Sequence, residues 1–117
     1  MRKIYHLGNC TTCQRIIKEL NGLEGFEMQN IKEEKMTAKQ VDEMKKKVGS
    51  YEALFSRRAM KYRGMGLHEK TLTEKDYRKL IIDEYTFLKR PVIFIDEEVF
   101  VGNTKKVVAA AKAKLGI

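Results

Sequence analysis

The sequence predicts an α/β domain: β-α-β, then a helical insertion, then β-β-α, with the strands forming a mixed four-stranded sheet. Three observations carry this. A short apolar run, Lys3-Ile4-Tyr5-His6-Leu7, leads directly into Cys10-Thr11-Thr12-Cys13 and a stretch of helical apolar spacing. A long central block, about 34 to 89, is predominantly helical in its signals. The chain then closes with two β-branched runs, a turn between them, and a last amphipathic stretch.

Each element has its own reason. Lys3 to Leu7 is the first strand, and Ile16, Ile17 and Leu20 mark one face of the helix from Thr11 to Leu20. Asn21-Gly22 stops that helix. Phe26 to Asn30 alternates apolar and polar residues, setting Phe26 and Met28 against Glu27 and Gln29, and reads as a second strand. Two strands separated by one helix imply a parallel pair. Further on, Thr37-x-x-Gln40 is a capping box opening a helix with Val41, Met44 and Val48 inward, ended by Gly49-Ser50. Tyr51 to Phe55 reads as another helical turn, a basic stretch runs from Ser56 to Arg63, and Gly64-Met65-Gly66 breaks the pattern. Thr73 caps a further helix with Tyr77, Leu80 and Ile81 inward. Val92 to Ile95 and Val99 to Val101 form a hairpin around an Asp96-Glu97-Glu98 turn. The closing helix buries Val107, Val108, Ala111 and Leu115.

A chain of 117 residues fits one domain. It contains no apolar stretch of about 20 residues, so no spanning helix is expected. The N-terminal residues lack the apolar region of a secretory signal, which makes the cytoplasm the expected compartment. The net charge of +8, from 24 basic and 16 acidic residues, favours anionic partners. Lysine runs such as Lys45-Lys46-Lys47 fit solvated helix faces. The interleaved aromatic and basic pattern of a nucleic-acid module is missing, so direct nucleic-acid binding is not expected.

The chemistry concentrates in Cys10 and Cys13, the only two cysteines. A C-x-x-C between a first strand and a first helix reads as a thioredoxin-like redox motif. A cysteine at a helix start faces unpaired N–H groups and the positive end of the dipole, which favour the thiolate nucleophile. The second cysteine, one turn along, can resolve an adduct by closing a disulfide. A zinc site would need His6 and His68 as the remaining ligands, since no second C-x-x-C and no H-x-x-x-H exists. Two structural core thiols are the other competing reading, and Gly8, Asn9 and two threonines make poor surroundings for them. A C-x5-R phosphate loop does not fit, because Arg15 follows Cys10 after four residues and position 16 is isoleucine.

Three segments occur in order: Ile4-Tyr5-His6 running into Cys10-x-x-Cys13, Tyr62-Arg63-x-Met65-Gly66-Leu67, and Leu88-Lys89-Arg90-Pro91-Val92. Together with Val101-Gly102 before the last helix, they resemble the arsenate reductase/Spx family over nearly the whole chain. The resemblance implies a thioredoxin-like core at about 1–33 and 90–117, with the helical insertion at about 34–89. It implies that Cys10 is the nucleophile, that Arg90 precedes a cis proline at Pro91, and that Arg57 or Arg58 binds an anion. Arginine suits that role because its planar fork pairs bidentately with oxyanions.

Two departures bear on the branch. The arsenate reductases use a third arginine just after the last hairpin strand, where this chain reads Val101-Gly102-Asn103-Thr104. They also commonly lack the second cysteine. Both features resemble the Spx-like branch, in which the cysteine pair forms a regulatory disulfide and the protein binds RNA polymerase. Gly49 lies near the glycine used at that interface, but the reductases carry one nearby as well. Two functions therefore stay open. One is a reductase acting on a small oxyanion or a thiol/disulfide substrate, weak or inactive toward arsenate. It would hold no bound cofactor and draw electrons from glutathione and glutaredoxin or from thioredoxin. The other is a redox regulator binding the RNA polymerase α subunit. A monomer is expected in either case.

Overall fold

The computed structural model describes all 117 residues, Met1–Ile117. They form two compact units: Met1–Lys35 with Arg90–Ile117, and Met36–Lys89.

The first unit is built on a sheet of four strands, β1 (Arg2–His6), β2 (Glu27–Asn30), β3 (Val92–Ile95) and β4 (Glu98–Val101), in the order β2-β1-β3-β4. β1 runs parallel to β2 and antiparallel to β3, and β3 pairs antiparallel with β4. The parallel pair is made possible by α1 (Thr11–Glu19), which carries the chain back to the start of β2. One face of the sheet presents Ile4, Ile93 and Ile95 to Ile16 and Leu20 at the end of α1, and to Val108 and Ala111 of α5 (Lys105–Leu115). Burying each large aliphatic side chain of this set contributes about 1.5–3 kcal/mol.

The other face buries Tyr5 and Phe94, with Lys3 and Gln29 beside them. Lys3 Nζ lies 4.7 Å from the Tyr5 ring centroid and 3.5 Å from Glu27 Oε2, so its charge is compensated although the stem is buried.

Here the structure corrects the reading of β2. Gln29 is 2% exposed and Met28 is 45% exposed, the reverse of what their polarity suggests. β2 is an edge strand, so Met28 lies at the rim of the helix-covered face. Gln29 pairs with Tyr5 across the sheet, and its amide donates to the Glu34 carbonyl at 3.1 Å. The hairpin turn is also shorter than expected: Glu98 already pairs with Ile95, leaving Asp96-Glu97 as a two-residue loop. Asp96 takes a left-handed φ of 57°, which a short polar side chain tolerates. Its carboxylate accepts from Arg2 Nε at 3.2 Å.

The second unit is helical: α2 (Ala38–Val48), α3 (Met60–Gly64) and α4 (Glu74–Asp83), with short 3-10 turns between them. Both anticipated caps form. Thr37 and Gln40 exchange hydrogen bonds of 3.1 Å each, and Thr73 does the same with Asp76. α2 ends at Gly49, whose φ of 97° suits glycine, so the backbone alone accounts for that residue. α2 and α4 pack together, with Val41, Met44, Tyr77 and Ile81 buried, and Phe55 stacks on Phe87 at 5.1 Å.

A polar tie reinforces this packing. Asp42 of α2 accepts from Arg78 Nε at 2.8 Å and Nη2 at 3.1 Å, and from the Tyr51 hydroxyl at 2.6 Å. Glu74, at the start of α4, accepts the backbone N–H groups of Tyr51 and Glu52 at 2.7 and 3.0 Å.

The Arg78 hydrogen bonds, and then that of Tyr51, hold the Asp42 carboxyl down to about 2. An unfolded aspartate titrates near ~3.9. The stabilisation is therefore present in full above about pH 4 and is lost as the pH falls toward 2. The pair is partly solvated, so the effect is modest. Asp42→Asn is expected to lower the melting temperature at neutral pH, with the difference closing near pH 2. Circular-dichroism melts at the two pH values check this, and an equal difference at both would contradict it.

Candidate active site

The helix that follows β1 begins on a sulfur. Cys10 occupies the N-cap of α1 in extended conformation, a position where serine, threonine, aspartate or asparagine is usual. Its backbone is fixed from both sides. The Cys10 N–H donates to the Leu7 carbonyl at 3.0 Å, and the Cys10 carbonyl accepts from Gln14 at 3.1 Å. No acidic residue lies in the first turn of α1, so no carboxylate there opposes a thiolate.

Both cysteines are free thiols, Cys10 partly exposed and Cys13 buried. Partial burial raises the Cys10 thiol, but the opposing effects outweigh it. The Cys13 N–H, the Cys13 thiol, the Thr12 N–H and the Arg90 charge together bring Cys10 below its ordinary value. Cys13 moves the other way. Burial pushes it up to about 11, and the hydrogen bond and negative charge of Cys10 add to that. Cys10 thus gives up its proton more readily than Cys13. The two are coupled, so the division of roles belongs to the pair.

Among the residues singled out in the sequence, Cys10, Cys13, Arg90 and Pro91 belong to the first unit. Arg90 acts electrostatically on both thiols. The Arg90–Pro91 peptide is cis, and Pro91 is buried at the entrance to β3. Arg57 and Arg58 belong to the second unit. Arg57 Nη2 donates to Glu52 at 2.7 Å and to the Tyr77 hydroxyl at 2.9 Å, so its charge is already matched. Arg58 is exposed and makes no ion pair, which leaves its guanidinium available to an anion. Asn103 is exposed, one residue before the Thr104 cap of α5.

Three residues at this end of the sheet did not stand out in the sequence as parts of a thiol site. His6 ends β1; its Nδ1 is buried without a hydrogen-bond partner, and burial lowers its pKa, favouring the neutral ring. Asn30 and Gln14 hold the loop ahead of Cys10. Their contacts join residues 22 and 6 positions apart, and only the folded chain displays the first of these. No group of three or more histidine, cysteine, aspartate or glutamate side chains is arranged to hold a metal ion.

The asymmetry of the pair has a direct consequence. Limiting iodoacetamide at neutral pH is expected to label Cys10 well before Cys13, because the thiolate is the reacting species and Cys13 is both protonated and buried. Peptide mapping by mass spectrometry reads this. Equal labelling, or Cys13 first, would remove the assignment.

Comparison with known proteins identifies the family and the fold. The profile of the ArsC family matches residues 5–111. No curated protein sequence matches the chain. Among solved structures, an arsenate reductase from Vibrio cholerae superposes with a TM-score of 0.78 at 13% identity, covering 93% of this chain and 95% of its own. An ArsC-related protein from Brucella melitensis has a TM-score of 0.71 at 23% identity, with coverages of 99% and 95%. The protein SACOL0876 of Staphylococcus aureus has a TM-score of 0.75 at 24% identity, with coverages of 94% and 97%. These similarities establish the thioredoxin-like fold with its mixed four-stranded sheet. With the profile spanning all but the ends of the chain, from Tyr5 near the end of β1 to the buried Ala111 of α5, the protein belongs to the ArsC family.

Proposed function

We propose that this ArsC-family protein is a thiol–disulfide oxidoreductase with Cys10 as nucleophile and Cys13 as resolving cysteine. The observation that carries the reading is the opposed setting of the two thiols: Cys10 lowered at the start of α1, Cys13 raised one turn on.

The chemistry follows from that setting. The Cys10 thiolate attacks one sulfur of a substrate disulfide. The substrate S–S bond breaks, a mixed disulfide forms at Cys10, and the first thiolate leaves. Cys10 then no longer carries charge, so the two contributions it made to raising Cys13 disappear. Cys13 loses its proton more readily at the moment it is needed. Its thiolate attacks the Cys10 sulfur, releases the second substrate thiolate and closes the Cys10–Cys13 disulfide. Two electrons have passed to the substrate, and glutathione with glutaredoxin, or thioredoxin, returns them through thiol–disulfide exchange. A compartment that keeps thiols reduced, such as the cytoplasm, suits this cycle.

Arsenate is expected to be a poor substrate. An oxyanion brought into a partly desolvated site needs several cationic partners, and Asn103 stands where the resemblance implies a third arginine. Asparagine donates a hydrogen bond without a charge. The alternative of a polymerase-binding regulator gains nothing from Gly49, whose left-handed backbone already requires glycine.

The test is turnover of a small disulfide with thioredoxin and its reductase. Cys10→Ser should abolish it, and Cys13→Ser should accumulate a mixed disulfide visible as an adduct mass. Undiminished turnover by Cys10→Ser would overturn the proposal. In a parallel assay, Asn103→Arg should raise arsenate reduction roughly tenfold to a hundredfold, the worth of one charge-assisted hydrogen bond acting in the transition state. Robust native arsenate turnover that the substitution leaves unchanged would contradict the charge argument.

A further inference from the structure

We infer that Asn30 is a positioning residue for Cys10, fixing the loop that delivers the thiol to the start of α1, and that Gly8 is glycine in order to admit it. The inference rests on the reading of Cys10 as the nucleophile.

The loop between β1 and α1 has only four residues, Leu7, Gly8, Asn9 and the N-cap Cys10. Its polar groups are held at several points. The Leu7 N–H acts on the Cys13 sulfur, and the Leu7 carbonyl accepts from Cys10 N–H at 3.0 Å. The Gly8 N–H donates to Asn30 Oδ1 at 3.2 Å, and the Gly8 carbonyl accepts from Gln14 Nε2 at 3.3 Å. Two side-chain amides thus clamp one peptide unit on each side of Gly8, two residues before the nucleophile. Asn30 is a firm anchor. It ends β2 in register with His6, the last residue of β1, and its Oδ1 also accepts the Lys32 N–H at 3.2 Å.

Gly8 supplies a second observation on the same contact. It is one of the few glycines of the chain outside the left-handed region, so its backbone does not require glycine. Space does. A Cβ built there would lie 2.4 Å from Asn30 Nδ2 and 3.2 Å from Cγ. The Asn30 amide could make room only by turning, and turning would give up the bonds its oxygen makes to Gly8 and Lys32. The residue pair is therefore matched: a bare position on the loop against an amide on the neighbouring strand.

The consequence for chemistry is positional. The N–H groups and the Arg90 charge that favour the Cys10 anion act over short distances. A loop released from Asn30 would let the sulfur move off them, raising the thiol without removing any group that touches it.

The experiment is the pH dependence of iodoacetamide alkylation at Cys10, followed by peptide mapping in the full chain. The set is the native protein, Asn30→Ala, Gly8→Ala and the double variant, each with a melting curve to establish that it is folded. Asn30→Ala and Gly8→Ala should each move the alkylation midpoint to higher pH and slow the reaction at neutral pH by roughly twofold to tenfold, the worth of one neutral hydrogen bond. The double variant should be no slower than Asn30→Ala, because removing the amide removes the clash. A merely structural contact would lower the melting temperature and leave the midpoint in place. Unchanged midpoints in both single variants, with a low native midpoint, would overturn the role of Asn30. Additive effects in the double variant would overturn the matching of Gly8 to Asn30. A native Cys10 midpoint no lower than that of Cys13 would instead remove the nucleophile reading itself.

Discussion

A sulfur at the N-cap of the first helix is the constraint around which this protein is organised. An N-cap oxygen would accept a hydrogen bond and end its contribution there. A thiol in the same place can also lose its proton, and the N–H groups of Thr12 and Cys13 then have an anion to stabilise. Helix termini interact with charge over about one turn. That range sets the position of the partner: Cys13, one turn on, shares the first turn with Cys10 yet lies deep enough for burial to keep its own proton on.

The sheet determines where that helix start can be. Because β1 and β2 run parallel, the end of β1 and the end of β2 lie side by side, and both open toward the same loop. The start of β3 brings Arg90 and Pro91 to the same level, since Tyr5 near the end of β1 pairs with Val92. The core beneath is ordinary aliphatic packing of Ile4, Ile16, Ile93 and Val108. Its role in the chemistry is rigidity, since a close-packed interior does not yield to small displacements. The second unit secures itself in a different way, through two capping boxes and the Asp42–Arg78–Tyr51 tie.

What the sequence made legible was local. The C-x-x-C between strand and helix, the Thr37 and Thr73 caps and the Gly49 stop are each specified within about four residues, and each appears where its own chemistry demands. The burial of β2 was not legible. Whether Met28 or Gln29 goes inside depends on which strand lies at the edge of the sheet and where the helices end, and neither is a property of those residues. The Asn30–Gly8 contact was hidden for the same reason, because it joins two strand ends separated by a whole helix. The difference between Arg57 and Arg58 was hidden as well: the two residues are adjacent, chemically identical and both exposed, and only the contacts of Arg57 with Glu52 and Tyr77 set them apart.

The opposed setting of the two thiols requires Cys10 to deprotonate before Cys13. Nuclear magnetic resonance of the protein carrying isotope-labelled cysteine, followed across pH, reads each thiol separately without a chemical probe. The Cys10 resonance is expected to titrate below the free-cysteine value of about 8.5, while that of Cys13 stays in its thiol form well above it. Coincident titrations near the free value, or Cys13 deprotonating first, would contradict it.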